Sequence, residues 1–70
     1  MNNKQRVSLA IELDDLWDQL FTAEKQADEV CRMALESNDT ELAQKISEVS
    51  SSLRAIEVLI GDRIDKLKED

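Results

Sequence analysis

A chain of 70 residues with 16 acidic and nine basic side chains carries a net charge of −7, which disfavours nucleic acid and anionic membranes as partners because both are bound mainly through Lys and Arg. The chain has no His and a single Cys, so it lacks the usual zinc ligands and cannot form an internal disulfide. A core of this size supplies roughly 3–5 kcal/mol of net stability by itself, which leaves oligomerisation or a protein partner as the expected source of more.

A first helix is predicted over about 3–36. Asn2 and Gln5 have the spacing of a capping box at its start. Beyond them, apolar and small residues recur in alternating steps of four and three, the pattern of one face of a coiled-coil helix: Leu9, Leu13, Leu16, Leu20, Ala23, Ala27, Val30 and Ala34. A stripe of this length predicts that the helix packs against another helix.

A tight turn is predicted near 37–39, within the chain's one cluster of turn-forming residues. Asn38 can adopt the left-handed conformation that ends a helix, and Asp39 can cap the helix that follows. The second helix is predicted over about 40–68 and carries a second stripe, which misses one place at Arg63: Leu42, Ile46, Val49, Leu53, Ile56, Ile60 and Leu67.

The short connection makes the two helices antiparallel, so the two stripes are expected to face each other. The sequence therefore predicts one all-α domain over 1–70. It is an antiparallel two-helix hairpin, and we expect two hairpins to associate into a four-helix bundle.

Further apolar residues lie beside the stripes, more than one hairpin can bury. Trp17 and Phe21 are four residues apart on one face of helix 1, a spacing typical of interface anchors. The same two rings could instead fill the core of a homodimer. The candidate partner-binding residues are the large ones near the open end: Leu13, Trp17, Phe21, Ile56 and Ile60. The expected partner is a second copy, another protein, or both.

Four acidic residues form a candidate acidic patch on helix 1: Glu12, Asp14, Asp15 and Asp18. Carboxylates spaced in this way occur in divalent-metal sites, but no second acidic element completes the site, and a solvated helix face is the simpler interpretation.

The thiol of Cys31 lacks the His that would activate it. We expect no enzyme activity, no metal and no cofactor. Gly61, inside a strong helix, predicts close approach by a neighbouring backbone.

The segment Leu53 to Ile60 resembles the second helix of type III secretion needle co-chaperones, and this resemblance implies a small hairpin co-chaperone. The architecture also resembles plasmid copy-number regulators that dimerise into four-helix bundles. Those regulators bind RNA through basic residues on one bundle face, which this acidic chain lacks.

The patterns favour a non-catalytic protein-protein interaction module, such as an adaptor, a co-chaperone or an inhibitor, that uses an apolar helical face. An acidic, phage-type decoy that mimics nucleic acid and blocks a basic channel is the alternative from another class. The longest apolar run, Val58 to Ile60, is far shorter than the roughly 18 residues of a membrane span, and the first residues lead into no signal-peptide core. We therefore expect a cytoplasmic protein.

Overall fold

The computed structural model describes residues 2–69, which form two helices, α1 (Asn3–Glu36) and α2 (Thr40–Lys68), and no strand. The helices pack against each other as a rod with principal extents of 52 × 14 × 13 Å. The predicted all-α hairpin and the predicted bounds of both helices are confirmed. Association of two hairpins stays a prediction.

The start of α1 is fixed by the capping box that the sequence predicted. The backbone N–H of Gln5 donates to Asn2 Oδ1 at 2.8 Å, and the backbone N–H of Asn2 donates to Gln5 Oε1 at 3.0 Å. Each bond satisfies a donor that has no partner within the helix, so α1 begins directly after Asn2.

The turn between the helices follows from two adjacent polar residues. Asn38 has φ 61°, the left-handed conformation expected for it. Its N–H donates to the Leu35 carbonyl at 3.0 Å, and the N–H of Asp39 donates to the Ala34 carbonyl at 2.8 Å, the two bonds of a Schellman motif. The Asp39 carboxylate then accepts from the N–H of Leu42 at 3.1 Å and caps α2. Both predicted roles are confirmed.

The two helices meet along a line that is shifted sideways from the predicted stripes. Half of each stripe lies at the contact and is buried or half-buried: Leu13, Leu20, Ala27, Ala34, Ile46, Leu53, Ile60 and Leu67. Of the other members, Val30 is half-buried and the remaining six are exposed: Leu9, Leu16, Ala23, Leu42, Val49 and Ile56. The prediction that the two stripes face each other along their full width is therefore wrong.

The physical reason for the shift lies in the residues that occupy the helix contact instead of the exposed stripe residues. Ala43, Ser50 and Glu57, each one position after an exposed stripe residue of α2, are buried against α1. Ala43 and Ser50 are small and permit close approach of the two helices. At Ala43, for example, the Cys31 Sγ–H donates to the backbone carbonyl at 3.4 Å. Two helices can cover only one sector of each other, so one flank of each stripe remains outside.

The open end of the hairpin is closed by Arg6. Its Nη2 donates to the carbonyl of Glu69 at 2.8 Å and to the carbonyl of Leu67 at 3.3 Å. The last carbonyls of a helix have no partner within it, and the C-terminal end of a helix favours a positive charge. One side chain of α1 thus caps the far end of α2.

Candidate interaction surfaces

The first candidate surface is an apolar strip that we call the outer stripe, whose members are each 38–49 % exposed: Leu9, Leu16, Leu42, Val49 and Ile56. Leu9 and Leu16 are seven residues apart on α1, and the three members on α2 are also spaced by seven. Sevenfold spacing keeps residues on one side of a packed helix. Each helix therefore contributes one column to the outer stripe.

The two columns of the outer stripe lie on the same face of the hairpin. Arg63, which follows Ile56 at the same spacing, lines an open groove of about 630 Å³ together with Leu9. Leu13 and Leu67 of the helix contact form the floor of this groove. Leu9 and the continuation of the α2 column at Arg63 therefore face the same side of the hairpin.

The second candidate surface is aromatic. The rings of Trp17 and Phe21 are stacked, with centroids 5.1 Å apart and an interplanar angle of 9°, and Lys25 Nζ lies 4.9 Å from the centroid of Phe21. Trp17 also lines a groove of about 370 Å³ with Gly61 and Ile64. We call these four apolar residues, Trp17, Phe21, Gly61 and Ile64, the aromatic surface.

Gly61 does not have the environment that the sequence predicted. A Cβ atom built on it would meet nothing within 4 Å, so no neighbouring backbone approaches it in the hairpin and that prediction is wrong. The absence of a side chain at Gly61 instead leaves the groove beside Trp17 open.

A layer of polar side chains lies between the helices on the same side as the aromatic surface. Ser50 Oγ donates to Asp28 Oδ1 at 2.6 Å, and Arg54 Nη2 lies 3.3 Å from both carboxylate oxygens of Asp28. Arg54 Nε is 3.3 Å from Glu24 Oε2. With Glu57 these residues form the polar layer. Glu24 and Asp28 each follow an aromatic residue, Trp17 and Phe21, by seven positions, which places both features opposite the outer stripe.

Glu57 is the unusual member of the polar layer. Its side chain is buried, with 7 % of the residue exposed, and its Oε2 has no hydrogen-bond partner. Burial raises the pKa of Glu57, the charge of Glu24 and a hydrogen bond with Glu24 raise it further, and Arg54 acts in the opposite direction. The surroundings of Glu57 therefore make its carboxyl group a weaker acid than that of an exposed glutamate.

The predicted partner-binding residues do not form one surface. Trp17 and Phe21 lie on the aromatic surface, and Ile56 lies on the outer stripe. Ile60 is 5 % exposed and packs between the helices, where Leu13 is half-buried. Ile60 is therefore closed to a partner, whereas Leu13, half-buried like Trp17, lines the open groove beside Leu9.

The acidic patch is spread around α1. Its four members, Glu12, Asp14, Asp15 and Asp18, are all exposed, and none is in an ion pair within residues 2–69. Asp14 borders the groove of the aromatic surface. Glu12 lies between Leu9 and Leu16 in sequence, at helical spacing from both, and so flanks the outer stripe. Within residues 2–69 no group of three or more His, Cys, Asp or Glu side chains is placed to hold a metal ion.

Sequence reasoning did not find Arg6 or the polar layer. Glu24 and Asp28 share one face of α1, while Ser50 and Arg54 share one face of α2, and this spacing was visible. The pairing across the hairpin depends on the alignment of the helices, which the Schellman motif sets.

No protein-family model, no curated protein and no solved structure matches the chain. Neither described helix has a stretch of sufficient length and apolar character to cross a membrane.

Proposed function

We propose that this protein is a non-catalytic interaction module, acting as a small adaptor, co-chaperone or inhibitor that docks on other proteins through apolar helical surfaces. The observation that carries the proposal is the imbalance of apolar burial. Three apolar residues in the described chain are buried, whereas twelve large apolar side chains are exposed. Exposed apolar area on this scale usually marks a protein interface, because it is otherwise an aggregation liability.

The aromatic surface is the place where a different protein would dock. The stacked rings present rigid apolar area at low entropic cost, and the groove beside Gly61 can accept a side chain of the partner. Asp14 and Asp65 border the groove, and Lys25 Nζ lies over the ring of Phe21. An apolar centre with a charged rim is the usual composition of a protein interface.

The test is capture of partners from an extract of the native host by immobilised protein, with Trp17→Ala compared with the exposed control Glu48→Ala. We expect Trp17→Ala to weaken capture at least about 30-fold, as loss of a central anchor does, and Glu48→Ala to leave it unchanged. Capture should persist when the salt concentration is raised, because apolar docking is not screened. Equal behaviour of the two variants would refute the role of the aromatic surface.

The acidic decoy remains the second candidate, because the 70-residue chain has a net charge of −7 and the four acidic-patch residues are exposed and without ion pairs within residues 2–69. A decoy would meet Lys and Arg of its target, so capture would be lost at high salt. It would also be lost when Asp14, Asp15 and Asp18 are changed together to Asn, while Trp17→Ala would leave it intact. In either case we expect a cytoplasmic protein without enzymatic activity.

A further inference from the structure

The outer stripe is a second apolar surface, separate from the aromatic surface that the proposed function uses. It runs along the hairpin from Leu9 at the open end to Leu42 beside the turn. Its two columns flank the half-buried residues of the helix contact, which makes it a broad apolar face and not a single pocket. A face of this shape fits two antiparallel helices laid along it.

The accessible surface area of the hairpin indicates how much area a partner on the outer stripe must bury. A monomeric globular protein of 8.0 kDa exposes about 4,450 Å², whereas the hairpin exposes 5341 Å². The excess, about 900 Å², is close to the roughly 800 Å² that each partner buries in a stable protein interface. A second rod of the same length and the same apolar width would cover the face from end to end.

We infer that the outer stripe is the interface of a symmetric homodimer, in which a second hairpin lies face to face on the first and both turns are at the same end of a four-helix bundle. The inference extends the proposed interaction module, because it names a second copy of the chain as the partner of the outer stripe. The dimer leaves the aromatic surface of each hairpin on the outside, free for another protein.

The orientation follows from the heights at which the stripe residues lie. Leu9 and Arg63 line one groove and therefore lie within about one helical turn of each other along the hairpin, and further pairs follow at steps of seven in opposite directions. A two-fold axis parallel to the helices keeps these heights and lays α1 of one hairpin on α2 of the other. It pairs Leu9 with the partner's Arg63, Leu16 with the partner's Ile56, Ala23 with the partner's Val49, and Val30 with the partner's Leu42.

Charge separates this orientation from the reverse one. With both turns at the same end, Glu12 beside Leu9 faces the partner's Arg63 and Lys66, and neither Glu12 nor Arg63 has an ion pair within residues 2–69. With the turns at opposite ends, α2 would lie on α2 and Arg63 would cover the partner's Leu42, whose neighbours Asp39, Glu41 and Lys45 carry both signs of charge. The first arrangement gives Glu12 a cation on the same apolar face, and the second does not bring Arg63 or Lys66 to Glu12.

Sedimentation equilibrium of the purified chain tests the occupant. Ile56→Glu places a charge in the centre of the outer stripe and should raise the dimer dissociation constant about a hundredfold or more. Val58→Glu is the matched control, since Val58 is 74 % exposed and lies outside the stripe, and it should remain dimeric. Loss of the dimer in Ile56→Glu alone supports the inference, whether or not the freed hairpin stays helical. A monomeric wild type, or a dimer that survives Ile56→Glu, overturns it.

A spin-label distance on the intact stripe tests the orientation. A single label at Ser37→Cys, in a Cys31→Ser background that keeps a donor for the Ala43 carbonyl, reports the separation of the two turns. Turns at the same end give about 10–20 Å, from helix spacings of 8–10 Å. Turns at opposite ends give a separation near the 52 Å length of the hairpin and overturn the orientation.

The charge pair gives an independent check. Glu12→Lys and Arg63→Glu should each weaken the dimer about 5-fold or more, and the double variant should regain most of the affinity. Failure of the double variant to recover would contradict the pairing. A dimer without any captured partner would refute the proposed docking of a different protein and leave this inference standing, whereas capture by a stable monomer would do the reverse.

Discussion

Ile60 lies at the helix contact and Ile56 lies on the outer stripe, and replacing each separately by Ala compares the two places by the same substitution. Ile60 is 5 % exposed and Ile56 is 43 % exposed. Removing three carbon atoms from a fully buried Ile costs about 2.4 kcal/mol of transfer free energy, and the cavity raises the total to about 2–5 kcal/mol. Ile56 has little more than half of its area buried in one hairpin and would leave no enclosed cavity, so its loss should be about 1 kcal/mol.

The assay is urea unfolding followed by far-ultraviolet circular dichroism. Both variants gain the same helix propensity from Ala, so this gain cancels in the comparison. At low protein concentration Ile60→Ala should be the less stable variant by about 1–3 kcal/mol. For 70 residues each kcal/mol corresponds to about 7 °C in the melting temperature. At about a hundredfold higher concentration the cost of Ile56→Ala should increase, because its side chain is then covered by the second hairpin. Equal costs at low concentration would refute the contact line described for the hairpin.

Two further predictions concern the turn and the polar layer. Asp39→Ala should lower the free energy of unfolding by about 0.5–2 kcal/mol through loss of the cap on Leu42, and an unchanged melting temperature would show that the cap contributes nothing. The pKa of Glu57 is raised above its ordinary value of 4.5, so its contribution to stability is fully present below pH 4.5 and is lost as the pH rises through the pKa of the folded state. Glu57→Gln should remove this part of the pH dependence, and identical pH profiles for the two proteins would contradict the assignment.

The parts of the fold that the sequence predicted are those decided by local interactions. The capping box of Asn2 and Gln5, the left-handed Asn38 and the cap at Asp39 each act within a few residues. Their spacing in the chain is therefore sufficient to place the ends of both helices.

The rotation of each helix about its axis could not be predicted in the same way. The stripes of Leu42, Val49 and Ile56 are stronger apolar signals than Ala43, Ser50 and Glu57, yet the second set faces α1. A stripe wider than one contact predicts that a helix packs against the other helix of the hairpin, but not which side of the stripe faces it. Some residues at the contact form hydrogen bonds from one helix to the other, such as Ser50 with Asp28. Such a bond depends on the rotation of both helices, which the pattern of one helix does not show.

The polar layer explains why the hairpin leaves the outer stripe uncovered. Turning both helices to bring the exposed columns together would move Arg54 away from Glu24 and Asp28 and Ser50 away from its acceptor. The ion pair of Arg54 with Asp28 contributes little by itself because both side chains are about half exposed, but Glu24 and Ser50 are largely buried, and this rotation gives their polar atoms partners. Small and polar residues thereby lie at the contact between α1 and α2. The large aliphatic residues of the outer stripe therefore stay exposed on the hairpin, where we propose that a second hairpin covers them.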